Sequence, residues 1–477
     1  MKSIKIIFSS LLLLTVVSCK KMLEINETDA LLGDVALKTV GNNEQAIIGA
    51  YASMNVEMGI LLNSTFSDEV KKSNEFYNAA TTHEWSFGTT DVTIRDNFTA
   101  ISPFYTTIDR VNRVLQRLPN ADSTKAGDNV LRAKLKGEAL FMRAYCHFEL
   151  FRFYSGNYSA EGLAMPYMET PSISPQARID MGTYFSKIKA DLDLAKTLVP
   201  NNLTDVYRTN KLAVSGLQAR VALYMRDWTN AVTYSTEYIS GLPLADIATF
   251  PGIWTDANNA ESAFKLKKTA AVGGRLGSLY RNTSANGTNI GTVVWVPSDK
   301  LWNSYDKVND VRFNSYLKDE PLLTTAGRQS HIVRKYEGSG YGTTNENVAD
   351  AKVFRTAEMY LIRAEARAEL GQVSGANSAE SDLNALRAAR ITGYVPVTFT
   401  TKTDVIDAII LERFKELPFE GHRFWDLKRR NLPVDRLASD APTPAAITLP
   451  AGNFRFVLPI PDAEMKANPL MQQNPGY

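Results

Sequence analysis

Cysteine and histidine are the scarce residues of this 477-residue chain, with two of the first and four of the second. Cys19 and Cys146 cannot build a disulfide framework. His83, His147, His331 and His422 are scattered and lack metal-ligand spacing, so no metal site or cofactor is expected. Charge of one sign is missing too. The 53 basic and 51 acidic residues leave a formal charge of +2 with no long run of either, which gives no reason to expect nucleic acid. Beyond the N-terminus no run approaches the roughly 20 apolar residues that span a bilayer. Neither a Gly-Lys-Ser/Thr phosphate loop nor a G-x-S-x-G elbow occurs, and "GSGYG" (338–342) reads as a turn because no helical pattern follows it.

What is present begins with "MKSIKIIFSSLLLLTVVSCKK". Lys2 and Lys5 precede an apolar stretch of signal-peptide length, and "TVVSC" resembles a bacterial lipobox, in which cleavage falls just before a cysteine that is then acylated. We therefore expect a signal peptide over 1–18, a lipid anchor (palmitate among its chains) on Cys19, and a tether over 19–40. The remainder, 41–477, is expected to form one domain.

Helical periodicity dominates that domain. "NEQAIIGAYASM" (43–54) spaces Ala46, Ile47, Ala50 and Met54 on one face, and the stretch ending at Pro119 does the same with Tyr105, Ile108, Val111 and Leu115. Long helices are predicted over 128–154 and 181–200. Two segments, 217–243 and 360–390, read as helix–turn–helix units of tetratricopeptide type, with small residues at Ala219, Ala231 and Ala366 where helices cross. A further small residue, Ala139, sits in the 128–154 helix. Spacing between units is irregular, so insertions must interrupt the repeat. The main ones cover about 60–97 and 244–350, rich in Gly, Asn, Ser and Thr with scattered aromatics; long excursions of this kind are often functional.

The C-terminal third carries a more specific pattern. "LERFKELPFEGHRFWDLKRRN" (411–431) and "RFVLPIPDAEMKANPLMQQNPGY" (455–477) resemble signatures of the SusD/RagB family. The matching elements are Glu412-Arg413, Glu416-Leu417, Phe419-Glu420-Gly421, Trp425-Asp426-Leu427-Lys428, Pro459-Ile460-Pro461 and Asn474-Pro475-Gly476-Tyr477. Pro418 interrupts one of them and marks a helix end. The resemblance implies a predominantly all-α fold with little strand: four tetratricopeptide-like helix pairs in a right-handed superhelical scaffold, supporting an irregular loop-rich face. It also implies a lipid-anchored, surface-facing outer-membrane protein. Such a protein would bind a nutrient, usually an oligosaccharide, and deliver it to a TonB-dependent (SusC-like) transporter.

Sugar rings stack on aromatics and pair their hydroxyls with polar side chains. The aromatics of the two insertions, Tyr77 and Trp85 on the first and Tyr280 and Trp295 on the second, are therefore the expected ligand contacts. Trp85→Ala and Trp295→Ala should then weaken binding without unfolding the chain. Trp228, Trp254, Trp302 and Trp425 read as scaffold. The rival readings are a glycoside hydrolase and a periplasmic repeat scaffold that binds only protein. Glu420 and Asp426 are the tempting acids for a hydrolase, but their basic neighbours Arg413, Arg423, Lys428 and Arg429 mark them as structural ion pairs, and no catalysis is expected.

Overall fold

The computed structural model describes residues 36–76, 80–271 and 274–477, so the predicted signal peptide, Cys19 and Tyr77 lie outside the described residues. Among the described residues no helix is long and apolar enough to cross a membrane.

Helices build the scaffold, and most begin where a short polar side chain caps them. Thr39 and Asn42 form a capping box at the start of α1 (Val40–Ser53). α2 (Glu57–Phe66) and α3 (Ile101–Arg117) follow, then the long α4 (Asp128–Tyr154). Asp180 accepts from the Thr183 amide at 2.7 Å to open α5 (Met181–Leu198). α6 (Lys211–Met225) and α7 (Trp228–Gly241) are joined by a two-residue turn in which Arg226 takes a left-handed φ of 58° and Asp227 caps the second helix. α8 (Thr356–Glu369) and α9 (Ala379–Ala388) form the second such pair, and α10 (Lys402–Glu416) and α11 (Arg423–Arg430) carry the C-terminal signature.

From α3 to α9 each helix packs on the next, α1 covers α3 and α4, and α10 lies against α8 and α9. The tetratricopeptide-like pairs predicted at 217–243 and 360–390 are therefore present, and the fold is predominantly α as expected. Ala139, Ala219, Ala231 and Ala366 are all fully buried. Neighbouring segments approach closely beside two of them: a Cβ on Gly137 would lie 2.8 Å from Val199 and one on Gly216 would lie 3.0 Å from the Phe354 ring. Cys146 is buried in α4, where burial pushes its thiol well up, so it is a small apolar core residue.

The insertion over 244–350 is less irregular than its composition suggests. β2 (Ser262–Leu266) and β6 (Ala351–Arg355) pair antiparallel, so the excursion between them leaves and returns through one ladder. Inside it, β3 (Trp295–Pro297) pairs with β1 (Val70–Lys72) of the first insertion, and β4 (Leu317–Asp319) pairs with β5 (His331–Val333). A separate small core of Ile290, Val293, Val296, Leu323 and Ile332 sits under this part.

Buried ion pairs bolt the excursion to the scaffold. Arg312 bonds Asp310 at 2.8 Å and Glu412 at 2.5 Å, and Arg355 bonds Glu416 at 3.0 Å and Glu420 at 2.7 Å. Arg390 reaches Glu261 at 2.6 Å and Glu416 at 3.2 Å. Asp426 pairs with Arg413 and Arg429, at 2.7 and 2.8 Å, as its sequence neighbours suggested. Glu420 instead takes its partners from the excursion, Arg355 and Lys335. The signature carboxylates are thus consumed by structure.

Candidate ligand-binding face

The two insertions predicted separately from sequence meet on one side of the scaffold, and their junction is built from the ladder upward. β1 hydrogen-bonds β3 with Val70 opposite Pro297 and Lys72 opposite Trp295. The Ser73 amide continues the contact to the Val294 carbonyl at 3.1 Å. Glu75 then clamps Arg328 through two bonds of 2.6 and 2.7 Å and accepts the Val293 amide at 3.0 Å, while Arg328 donates onward to the Ile290 and Gly291 carbonyls. Partial burial would raise the Glu75 carboxyl, but these donors outweigh it and hold it below its ordinary value.

The three described aromatics expected to contact ligand lie inside this junction. Trp85, Tyr280 and Trp295 are 4%, 1% and 6% exposed. Trp85 sits at a left-handed φ of 52°, donates its indole N–H to the Phe66 carbonyl at 2.9 Å, and carries the Arg436 guanidinium 4.0 Å above its ring. Tyr280 shares a 3.0 Å hydrogen bond with Ser64 and packs against Phe419. Trp295 lies between Phe76, 4.9 Å away, and His83, 5.1 Å away. Their burial corrects the expectation of an open stacking platform at these positions. The reason is register: Trp295 is on a strand whose three residues are all buried by the opposite insertion. Removing either tryptophan would open a core cavity, so either alanine variant is expected to lose stability as well.

Two half-buried rings that periodicity could not single out flank the same segment. Phe76 rests on Trp295 with the Lys72 ammonium 5.4 Å from its centroid. Tyr341 packs on the small core containing Ile290 and Val293, and its hydroxyl, with one proton to share, lies 2.5 Å from a Glu320 oxygen and 2.8 Å from a Glu337 oxygen. It belongs to the "GSGYG" turn, which is a turn as predicted. Gly338 and Gly342 take φ of 67° and 68°, and a Cβ on Gly342 would come within 2.4 Å of the Asn286 backbone. Glu346 holds this turn together by accepting from Arg281, Ser284 and the Gly342 amide. Between the rings, Asn282, Thr283, Asn286, Thr288, Asn289 and Thr292 are exposed, a rim of amides and hydroxyls.

Beneath the face lie Asp68 and Glu69, which behave oppositely. Although burial opposes it, Asp68 is kept far below the carboxylate range by Arg423, at 2.8 and 2.9 Å, and by Lys300. Glu69 has only Ser64 and the Phe419 amide, both at 3.1 Å, on one oxygen and no partner on the other. Burial therefore pushes it up to about 8, with Asp68 adding to the shift, and it is protonated at neutral pH. An unfolded chain releases that proton near its ordinary pKa of 4.5. Stability conferred by the native form therefore declines as pH rises from that value toward 8 and is flat above. Glu69→Gln is expected to gain about 3 kcal/mol on the wild type between pH 5 and pH 8; urea titrations giving a pH-independent difference would refute this.

Other carboxyls raised above their ordinary values, Glu138, Asp382 and Asp440, are also buried and away from the rim. Among the described residues no group of three or more His, Cys, Asp or Glu could hold a metal ion.

Fold and face together define a helical-repeat protein whose two long insertions meet in a loop-built face. The chain belongs to the SusD/RagB family: a family described as "SusD family" matches residues 318–477, and one described as "Starch-binding associating with outer membrane" matches residues 24–223. A SusD-like protein (P2) of Formosa agariphila is 26% identical, with all of both chains covered. A SusD superfamily protein of Bacteroides thetaiotaomicron superposes with a TM-score of 0.78 at 22% identity, over 92% of this chain and 100% of that one. A laminarin-binding SusD-like protein superposes at 0.72 with 20% identity, covering 92% and 100% of the two chains.

Proposed function

We propose that this protein is a lipid-anchored, cell-surface binder of oligosaccharide that passes its ligand to a TonB-dependent outer-membrane transporter. The observation that carries the reading is the junction of the two insertions. It sets half-buried rings, Phe76 and Tyr341, beside a rim of amides and hydroxyls on a base fixed by β1–β3 and the Glu75–Arg328 clamp. Rings offer the apolar faces of a sugar a stacking partner, the rim offers hydrogen bonds, and a pre-built base limits the entropy lost on binding. In this reading Trp295 positions Phe76, and Tyr77, next in sequence, remains a proposed ligand contact. Cys19 carries the anchor. The family's described association with the outer membrane and the laminarin-binding relative support the same picture.

Phe76→Ala is expected to weaken binding about tenfold, or about 1.4 kcal/mol, with the far-ultraviolet spectrum unchanged. Calorimetry against a panel of neutral oligosaccharides, laminarin fragments included, measures it; equal affinity for the variant would remove Phe76 from the site. Turnover of any panel member would favour the hydrolase instead. Co-purification with a TonB-dependent barrel in mild detergent tests the partner, and palmitate labelling lost in Cys19→Ala tests the anchor.

A further inference from the structure

Away from the loop face, a cleft of about 760 Å³ opens between the loop after α4, the end of α11 and the C-terminal run. Its lining includes two cations, Arg178 and Lys428, and not one aspartate or glutamate. That is unusual for this molecule, where buried guanidiniums such as Arg143, Arg220 and Arg429 each sit within 2.8 Å of a carboxylate oxygen. Neither Arg178 nor Lys428 has a carboxylate within ion-pair distance among the described residues; both are held by neutral oxygens.

Donor counting separates their roles. The Arg178 guanidinium has five N–H groups. It spends them on the Ala164, Tyr154, Leu163 and Gln472 carbonyls and the Asn474 side chain, at 2.8 to 3.2 Å. It can supply positive field but no further bond. The Lys428 ammonium has three and spends two, on the Arg152 carbonyl at 2.9 Å and the Ser155 carbonyl at 2.5 Å. One N–H is left without an oxygen acceptor, with the Trp425 ring centroid 5.1 Å from the ammonium. With no anion beside it, burial lowers this ammonium to about 7, a cost that an anionic ligand would relieve. Beside it the Asn431 and Gln472 side chains make no hydrogen bond within the described protein, and Phe454, half-buried with Arg455 4.7 Å over its ring, supplies an aromatic wall.

We propose that this cleft binds an acidic sugar residue, with the carboxylate or sulfate received by Lys428 in the field of Arg178, the hydroxyls by Asn431 and Gln472, and the ring packed on Phe454. Its volume lies within the range of pockets that enclose one small ligand. The choice of a sugar rests on the proposed function; the choice of an anion rests on the cleft alone.

The test uses the mature chain and calorimetry with three probes: trigalacturonate, a sulfated galactose trisaccharide, and the neutral galactotriose. Wild type is expected to bind at least one charged probe no less than tenfold more tightly than galactotriose. Affinity for that charged probe should fall at least tenfold in Lys428→Met and clearly in Phe454→Ala, and stay unchanged in Phe76→Ala. Preference for the carboxylated over the sulfated probe, or the reverse, names the anion. Equal affinity for charged and neutral probes, no binding of either charged probe at millimolar concentration, or loss of charged-probe affinity in Phe76→Ala in place of Phe454→Ala would each overturn the proposal. Should Lys428→Met fail to fold, the charge preference of wild type and of Phe454→Ala decides alone. Failure here with intact binding of neutral glycan leaves the loop-face reading standing, because that site is scored by Phe76→Ala with neutral ligands.

Discussion

Glu416→Gln is expected to destabilise the protein by about 3–5 kcal/mol, the range for breaking a buried ion pair by removing one partner. Glu416 is fully buried at the end of α10 and accepts from three guanidiniums: Arg312 at 3.2 Å, Arg355 at 3.0 Å and Arg390 at 3.2 Å. Burial alone would raise its carboxyl. The charges of Arg390, Arg355 and Arg312 overcome that and hold it down at about 2. A glutamine keeps the shape and one acceptor but removes the charge that three buried cations share. Arg355 and Arg390 would fall back on Glu261 and Glu420, which are already engaged. Because the folded-state pKa is depressed, the stabilisation is full above the unfolded value of 4.5 and is lost as pH falls toward 2. The gap between wild type and variant should therefore close in strong acid. Urea unfolding at pH 7 measures the main effect, read as a shift of midpoint at constant slope; a change below about 1 kcal/mol would mean that the cluster is replaceable.

Acid should destabilise the protein above the ordinary carboxylate range, because three histidines are buried in neutral form. Burial lowers His83 and His147 to about 3 each, helped by the charges of Arg436 and Arg143, and it lowers His422 well below the usual range beside Arg220. His147 shows why the neutral form is required: its Nε2 accepts the Met168 amide at 3.2 Å and the Tyr167 ring stacks 3.9 Å away. The unfolded chain protonates all three near pH 6.5 while the folded chain does not, so stability falls as pH drops below that point. Lowering the pH from 6.5 to 5.5 costs about 1 kcal/mol per histidine, or about 3 in all. Glu69 acts in the opposite sense over the same interval and returns roughly 1 kcal/mol. Denaturation curves across this range measure the net slope. Resonances of His83, His147 or His422 that titrated near pH 6 in the folded protein would contradict the burial argument.

Some of this was written in the chain's periodicity. The helix over 128–154, the tight α6–α7 pair and the small residues at Ala139, Ala219 and Ala366 follow from local sequence. A 3.6-residue apolar repeat has few alternatives once capped. The reading of Asp426 as an ion pair also held, because its partners Arg413 and Arg429 lie within 13 positions of it.

What local pattern cannot carry is the pairing of distant segments. β1 meets β3 across more than 200 residues, and that ladder decides that Trp295 faces inward while Phe76 stays at the surface. A tryptophan in a Gly- and Asn-rich loop looks exposed from sequence; here the opposite insertion covers it. Glu420 likewise sits among basic residues of its own helix end, yet its partners are Lys335 and Arg355, brought by the ladder of β2 and β6. The lone ammonium of Lys428 shows the same limit from the other side. It lies only two residues from Asp426, but that spacing puts the two on different helix faces; Asp426 is held by two arginines, leaving Lys428 to carbonyls and an open cleft. The sequence by itself determined the helical scaffold, its family signature and the existence of two insertions, because these rest on short-range spacing. Which rings face solvent, and which charges lack a counter-charge, was decided only by the tertiary structure, because burial and pairing depend on what arrives from elsewhere in the chain.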